Sequence, residues 1–451
     1  MDRERMRKVF SYIDSQKDRY IKELSELLSH PSLSIEGTGM LQGAQVVARL
    51  VKKSGFEANV NENKDGYPVV TGYTGRENRL RIGIYGHYDV YPTGDLSGWI
   101  SHPFKPEVRD GKLFGRGATD DKGNLFANIK AAEAVKTVFG SIPIDLLFLF
   151  EGEEEIGSKS LEGFLRKNRR ALGNLSAFIA CDRGWHETGR PQIFLGCKSN
   201  LTVKLTVRGS KRDIHSGHSP LIPNPAWKLV HLLAKITRED GEVLVPPLAK
   251  EKRKPSKKDL SLLKSIPFNV KSYKTNYGIK RILAREKAFD ALRKLTFGAT
   301  WNISNFVAGT QESSCVVPAS ATATIDLRAS GDYNPYKIMS SLTEFVKKAG
   351  DVQISTVLTH GYRVSVSDLF VSKAVSIARK TFGVSPVVWP QWDGAGPLGI
   401  LHRAFDVPAM IIGLGAPFSI AHTHAQNEFI RVQDITNGIK LMASIFLNLA
   451  G

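Results

Sequence analysis

Hydrophobic residues recur along the chain with two different periods, which predict alternating helices and strands. Apolar residues at helical spacing predict one amphipathic helix over residues 1–30 and a second over residues 43–54. Three short runs that are apolar on both faces, at residues 81–85, 144–150 and 176–180, predict buried strands. The predicted fold class is therefore α/β, with a mostly parallel central sheet and helices on both faces.

The middle of the chain shows a different pattern. Residues 201–207 alternate between apolar and polar, which predicts a strand in a sheet with one open face. Similar patterns predict strands at residues 301–307, 321–327 and 352–358 and helices at residues 226–236 and 334–349. We therefore predict an inserted α+β domain over residues 197–363. It divides an α/β domain made of residues 1–196 and 364–451.

Length and composition are those of an ordinary globular protein with more than one core. The chain has 451 residues, of which 42% are hydrophobic and 24% charged. No run approaches the ~18 consecutive apolar residues of a membrane span, so no membrane association is predicted. Residues 1–30 lack the apolar stretch of a signal peptide, and the three cysteines form no C-x-x-C pair. These features predict a cytoplasmic protein.

Positive charge is concentrated in one segment. The formal net charge is +18, and residues 250–294 contain fifteen Lys and Arg against four Asp and Glu. Such a segment can bind nucleic acid, or it can be the solvated surface of helices. Because no nucleic-acid motif accompanies it, we predict a helical surface and no nucleic-acid partner.

Polar side chains follow the three predicted buried strands, at the point where each strand ends. His87 and Asp89 follow the first strand, Asp182 follows the third, and four glutamates follow the second: Glu151, Glu153, Glu154 and Glu155. The carboxyl ends of parallel strands lie at one edge of a sheet, so these groups are expected to converge. Converging carboxylates repel one another, and Lys and Arg are scarce there, which predicts a metal site. Mixed His, Asp and Glu ligands suit zinc, manganese or cobalt, and this many carboxylates can hold two ions.

Two further segments offer additional ligands. A glycine-rich turn at residues 115–123 contains Asp120 and precedes a predicted helix over residues 124–139. Near the carboxyl terminus, residues 421–428 contain His422 and His424. Either segment alone is weak evidence for a site, but the order of all five segments is specific.

These five segments resemble the motifs of a known enzyme family. G-H-x-D-V is found at residues 86–90, G-R-G-x-x-D-x-K-G at 115–123, E-E-x-G-S at 154–158 and H-x-x-N-E at 424–428. The chain is similar over nearly its whole length to co-catalytic zinc metallopeptidases. That superfamily includes carnosinase-like dipeptidases, glutamate carboxypeptidase, aminoacylase, acetylornithine deacetylase and succinyl-diaminopimelate desuccinylase. The Trp99-x-x-x-Pro103-Phe104 stretch most resembles the carnosinase-like branch.

The resemblance implies two divalent metal ions per subunit. Zinc is the expected metal, and manganese and cobalt are alternatives. Asp120 would bridge the two ions, and the five implied ligands are His87, Asp120, Glu155, Asp182 and His424. Asp89 would orient His87 through its second ring nitrogen, and Glu154 would be the general base that activates a metal-bridging water. The register of the glutamate run and the choice of His424 over His422 rest on the motif match, and a register shifted by one residue remains open.

The resemblance also implies substrate-side residues and a dimer. The inserted domain would be a lid and dimerisation domain, with His215 reaching the partner's site, Arg328 binding a substrate carboxylate and Asn302 donating to the substrate. Gly396 and Cys315 stand where carnosinase-like enzymes usually have serine and threonine. Carnosine-type specificity is therefore not transferred.

The predicted activity is hydrolysis of dipeptides, or of C-terminal residues with a free carboxylate. Three alternatives stand beside this activity. The first is an N-acyl amino acid deacylase of the acetylornithine deacetylase or desuccinylase type, whose substrate is an N-acyl amino acid. The second is a non-catalytic binding protein on the same scaffold, and the third is nucleic-acid binding through residues 250–294.

Overall fold

Helices and strands alternate through the part of the chain that the computed structural model describes, which is residues 3–75, 80–245, 248, 255–309 and 315–450. The first elements in chain order are α1 (Arg3–Ser15), α2 (Lys17–Leu28), α3 (Met40–Lys53), β1 (Glu57–Asn61), β2 (Val69–Tyr73), β3 (Arg81–His87), β4 (Glu107–Arg109), β5 (Lys112–Phe114), α4 (Lys122–Phe139), β6 (Asp145–Glu151), α5 (Leu161–Leu172), β7 (Ala177–Ala180), β8 (Gln192–Phe194) and β9 (Gly196–Cys197).

The elements that follow include the predicted insertion and the return to α/β structure. They are β10 (Ser199–Arg208), β11 (Ile214–His215), α6 (Pro225–Ala234), α7 (Lys257–Ser265), α8 (Val270–Asn276), α9 (Ala288–Phe297), β12 (Thr300–Ala308), β13 (Val316–Val317), β14 (Ser320–Ala329), α10 (Pro335–Lys347), β15 (Val352–Thr359), β16 (Tyr362–Arg363), α11 (Leu369–Phe382), β17 (Val387–Trp389), α12 (Leu398–Phe405), β18 (Ala409–Gly413), β19 (Phe429–Arg431) and α13 (Val432–Asn448). Short 3-10 turns occur at Leu96–Gly98, Glu154–Ile156 and Ser216–His218.

The central sheet has eight strands in the order β1-β2-β6-β3-β7-β18-β8-β17. Its middle strands β6, β3, β7 and β18 are parallel, and antiparallel pairs join β1 to β2, β2 to β6 and β18 to β8. The three strands predicted from all-apolar runs are confirmed as β6, β3 and β7, and they are neighbours. Their carboxyl ends therefore lie side by side at one edge of the sheet.

Helices cover the central sheet on both faces, which confirms the predicted fold class. On β6, Leu146 and Phe148 pack into a core shared with α1, α3, α4, α11 and α13. The alternate residues Leu147 and Leu149 pack into a second core with α5 and α12. Because successive side chains of a strand point to opposite faces, a strand buried on both faces is expected to be apolar at most of its positions.

The prediction of one helix over residues 1–30 was wrong. The helix is interrupted at Gln16, whose φ of −96° and ψ of 4° lie outside helical geometry, and a second helix begins at Lys17. The first helix packs against α13 and α4, and the second packs against α4. Apolar residues keep nearly helical spacing across the break, so the periodicity alone did not reveal it.

A second, antiparallel sheet lies within the predicted insertion, with the strand order β12-β14-β10-β15. Along β10 the buried positions alternate with more exposed ones, as predicted. The buried residues pack against α6 and α10, and the alternate positions of β10 and β14 are mostly polar and more exposed. This arrangement confirms the α+β character of the segment, while the domain boundaries at residues 197 and 363 stay a prediction.

The described part of the basic segment contains three helices joined by irregular segments. It forms α7, α8 and α9, and Leu263, Ile266 and Leu292 pack against Val387 of strand β17 at the sheet edge. Residues 250–254 lie outside the described part of the chain. Within that part, no helix is both long enough and apolar enough to cross a membrane.

Candidate metal centre

Two groups of potential ligands meet at the carboxyl edge of the central sheet. His87, Asp120 and Asp182 form one group, and Asp120, Glu155 and His424 form the other. Within each group the ligand atoms all lie within 4.8 Å of one another. Asp120 belongs to both groups, as expected for a carboxylate that bridges two ions.

The Asp120 carboxylate points one oxygen toward each group. Its Oδ1 lies 3.2 Å from His87 Nε2, and its Oδ2 lies 3.1 Å from His424 Nε2. The same His424 nitrogen lies 3.2 Å from Glu155 Oε2. The structure thus brings together all five predicted ligands, with the other four around the carboxylate of Asp120.

The donor set fits two divalent cations. Glu155 Oε1 is buried and has no hydrogen-bond partner among the described residues, although buried polar atoms normally have one. The buried His87 Nε2 faces the carboxylate of Asp120 without a well-aligned hydrogen bond. Burial, together with the charge of Asp120, raises the pKa of Asp182 to about 7 and also raises the pKa of Glu155. Bound cations would satisfy these atoms and offset the repulsion between the carboxylates.

Asp89 links the histidine to the glutamate run. Its Oδ1 and Oδ2 accept hydrogen bonds from the backbone N–H groups of Glu154 at 3.2 Å and Glu155 at 3.0 Å. His87 Nδ1 lies 3.0 Å from the Asp89 carbonyl oxygen and 3.3 Å from Oδ1. Asp89 is therefore placed to orient His87, mainly through its carbonyl, while its carboxylate holds the turn that presents Glu154 and Glu155.

The four glutamates after β6 have different surroundings. Glu151 accepts hydrogen bonds from the Tyr85 hydroxyl at 2.6 Å and the Ser158 hydroxyl at 2.8 Å. Glu153 accepts from the backbone N–H groups of Tyr67 and Ser160. These two carboxylates are thus held away from the ligand groups. The assignment of Glu154 as the base and Glu155 as the ligand stays a prediction, and these contacts support it.

Glu428 holds the glycine-rich turn that carries Asp120, a role that sequence reasoning missed. Its Oε1 accepts hydrogen bonds from the N–H groups of Thr119 at 2.9 Å and Asp120 at 3.0 Å. Its Oε2 accepts from Gly117 N–H at 3.0 Å and from Arg116 Nη1 at 2.8 Å. The carboxylate is fully buried and so fixes the backbone of the shared ligand. The motif H-x-x-N-E contained the signal, because Glu428 is its last residue.

Asp121 was also missed. Its buried carboxylate accepts hydrogen bonds from His87 N–H at 3.1 Å and from Asn124 Nδ2 at 2.8 Å. Through these two hydrogen bonds, Asp121 joins the strand that carries His87 to the start of α4. The peptide bond between Asp120 and Asp121 is cis. Its position next to Asp120 in the motif was the available signal.

His424 is the histidine of its segment that joins a ligand group. The ring of Tyr91 stacks on it, with 4.2 Å between the ring centroids and 9° between the planes. His422 instead places Nδ1 3.2 Å from the carbonyl oxygen of Gln426 and belongs to neither group. Tyr91, which directly follows the G-H-x-D-V motif, was not predicted and limits how the His424 ring can turn.

The four predicted substrate-side residues are not gathered in one place. Asn302 and Arg328 lie on the more exposed face of the four-stranded sheet, where Asn302 is opposite Asp326 and Arg328 Nε donates to Asp326 at 3.0 Å. His215 is exposed and its Nδ1 accepts from Gly217 N–H. Gly396 adjoins the metal centre, because a Cβ placed on it would lie 3.9 Å from Glu154 Oε1.

A mostly parallel α/β sheet with two histidines and three carboxylates at its carboxyl edge is the architecture of a metal-dependent hydrolase. The ligands present two groups that share one aspartate, which suits a dinuclear centre. The chain belongs to peptidase family M20/M25/M40, whose family model matches residues 83–448. The predicted superfamily and the predicted metal-dependent amide-bond hydrolase are thereby confirmed.

Individual relatives are similar over nearly the full length of the chain. The human Beta-Ala-His dipeptidase is 25% identical over 99% of this chain and 93% of its own length. The Cys-Gly metallodipeptidase DUG1 of Saccharomyces cerevisiae is 24% identical over 97% of this chain and 96% of its own length. The M20 family metallo-carboxypeptidase Sso-CP2 from Sulfolobus solfataricus, whose crystal structure is known, is 29% identical in sequence to this chain. The superposition of the two structures covers 95% of this chain and 99% of the Sso-CP2 chain, with a TM-score of 0.89.

Proposed function

We propose that the chain is a two-metal dipeptidase or carboxypeptidase that releases a C-terminal residue with a free carboxylate. The two ligand groups that share Asp120 carry this proposal, because they could hold two metal ions close to Glu154. The relatives named above as dipeptidases, and the solved structure named as a carboxypeptidase, support this substrate class.

Glu154 is the proposed general base. Burial, with the neighbouring charge of Asp182, raises the pKa of its carboxyl well above the ordinary value. Cations held by the two ligand groups would supply the Lewis acidity that polarises the scissile carbonyl, and their charge would lower the pKa of Glu154. Glu154 then takes a proton from the attacking water and passes it to the leaving amine.

Zinc is the proposed metal, with two ions per subunit. His87 and Asp182 would hold one ion and Glu155 and His424 the other, with Asp120 between them. Imidazole with carboxylate ligands suits zinc, and manganese or cobalt accept the same set. We place the enzyme in the cytoplasm, because Cys181, Cys197 and Cys315 are all free thiols.

Residues 197–363 are proposed to form a lid and a homodimer contact. Arg328 would pair with the free carboxylate of the substrate, for which a planar guanidinium is suited. Asn302 would donate to the substrate, and His215 would reach the site of the partner subunit and stabilise the oxyanion. His215 and Asn302 are exposed and Arg328 is half-buried, which supports a role that begins when the lid closes or a second subunit binds.

A substrate panel tests the proposed reaction. We expect zinc-loaded protein to hydrolyse dipeptides and to lose most of that activity when the C-terminal carboxylate is amidated, because Arg328 loses its partner. Initial rates are measured on dipeptides, their amides, and the N-acetyl and N-succinyl derivatives of the same amino acids. Turnover of the acylated compounds alone would make the chain a deacylase, and no turnover of any compound would reject both reactions.

A further inference from the structure

A cavity of about 380 Å³ lies between the central sheet and helix α8 of the basic segment. Aromatic side chains supply much of its wall, among them Trp185, Phe268, Tyr273, Tyr277 and Phe418. A concave site with apolar walls and a few charged groups is the usual form of a small-molecule pocket. The proposed reaction assigns no role to this cavity.

The cavity adjoins the metal centre, because the two share three loops. Arg183 lines the cavity and directly follows the ligand Asp182. Asp393 lines it and precedes Gly396, the neighbour of the Glu154 carboxylate. Residues 417–419 also line it and lead to the segment that carries His424. A substrate held at the metals can therefore extend one of its ends into this space.

Arg183 brings a positive charge with free donors into the cavity. Its guanidinium packs over the rings of Phe418 at 4.0 Å and Trp392 at 4.3 Å. Among the described residues its side chain has one ionic partner, Asp393, whose Oδ1 lies 3.7 Å away, beyond hydrogen-bonding distance. The Asp393 side chain is 46% exposed, so solvent weakens its attraction to Arg183. Stacking on the rings orients the guanidinium, and its N–H donors are left to form a bidentate pair with a carboxylate.

We propose that this cavity receives the acyl side of the substrate and that Arg183 pairs with a carboxylate there. The inference rests on the proposed function. Arg328, on the other sheet, is assigned the carboxylate of the leaving residue, which leaves Arg183 for a second negative charge. Two sources have this chemistry: an aspartyl or glutamyl residue at the start of a dipeptide, and the succinyl group of an N-acyl amino acid.

Matched neutral and acidic substrates test the proposal. We expect kcat/KM of the wild-type enzyme to be higher for Glu-Ala than for Gln-Ala. Arg183→Met is expected to lower the value for Glu-Ala by about 10–100-fold, because a charge-assisted bidentate pair is lost. The value for Gln-Ala should change by less than about threefold, because its amide forms only a neutral hydrogen bond. N-succinyl-alanine and N-acetyl-alanine form the second pair and show which source of the carboxylate is used.

Three further variants separate specificity from structure. Arg183→Lys keeps the positive charge but loses the two parallel N–H donors of the guanidinium. This variant should therefore retain part of the preference for Glu-Ala. Asp393→Asn removes the internal competitor and should raise kcat/KM for Glu-Ala by about threefold. Arg403→Met is the matched control, because Arg403 pairs with Glu162 on the surface at 2.9 Å. An equal loss on acidic and neutral substrates in Arg183→Met would overturn the proposal.

A binding measurement keeps this result independent of catalysis. Trp185 and Trp389 line the cavity, so their fluorescence reports on its contents. Glutarate is titrated into dialysed, metal-free protein. We expect a saturable change in the wild type and in Arg403→Met, and none in Arg183→Met. A saturable change without hydrolysis of any substrate would reject the proposed function alone, and hydrolysis with no glutarate response and no acidic preference would reject the cavity proposal alone.

Discussion

Replacing Glu154 by glutamine is expected to lower kcat by about 10²–10⁴-fold, the usual contribution of a general base. The amide cannot accept the proton of the attacking water. Metal binding should be nearly unchanged, because Glu154 belongs to neither ligand group and its backbone N–H still bonds Asp89. The measurements are kcat on a dipeptide and metal content by mass spectrometry.

Glu153→Gln is the matched control for this variant. Glu153 belongs to neither ligand group, so kcat of the folded enzyme should change little. The variant is expected to lose some stability, because the buried Glu153 carboxylate accepts backbone hydrogen bonds from Tyr67 and Ser160. A Glu154→Gln enzyme that keeps most of its rate, with Glu153→Gln inactive, would shift the register of the glutamate run by one residue.

Glu428→Gln is expected to destabilise the protein by about 3–5 kcal/mol, the range for breaking a buried ion pair. The change leaves the Arg116 guanidinium, which is 1% exposed, without its charged partner. The new amide nitrogen would also face N–H donors that now bond Glu428 oxygens. The readout is the midpoint of urea unfolding at unchanged slope. Activity should fall too, because the backbone of Asp120 loses its anchor.

The same chemical change on the surface is the control. Glu344→Gln removes an exposed carboxylate that pairs with Lys348 at 3.0 Å, and it should shift stability by less than about 0.5 kcal/mol. Equal stability of Glu428→Gln and the wild type would mean that the buried contacts of Glu428 do not hold the turn.

The strands around the metal centre could be predicted because burial on both faces produces a run of consecutive apolar residues in the sequence. Between Asp145 and Glu151, strand β6 is apolar and buried at every position, so its apolar run marks the strand and its end. The first helix shows the limit of this method. Its apolar spacing continues past Gln16, where the chain leaves helical geometry.

The ligands were predicted partly from physics and partly from resemblance. Convergence of His87, Asp182 and the glutamates follows from parallel neighbouring strands. The inclusion of Asp120 and His424 does not, because they lie on loops whose positions depend on distant contacts. Glu428 shows why such contacts escape a sequence reading, since it bonds a turn 308 residues earlier in the chain.

The Arg183 cavity could not be predicted from local sequence at all. Its walls come from segments near residues 185, 270 and 418, which no single motif connects. In the sequence, nothing distinguishes Arg183 from other charged residues. Its contacts with the rings of Trp392 and Phe418 are seen only in the folded structure. Only the three-dimensional fold shows that the basic segment closes a pocket beside the metal centre.

Metal content measured together with activity tests the two-metal centre most directly. Metal-free protein is titrated with Zn²⁺, and bound metal and dipeptide hydrolysis are measured at each point. We expect activity to appear only as the second ion binds to each chain, and Asp120→Ala to bind both ions weakly. Full activity with one bound ion per chain, or activity in metal-free protein, would contradict the shared-aspartate centre.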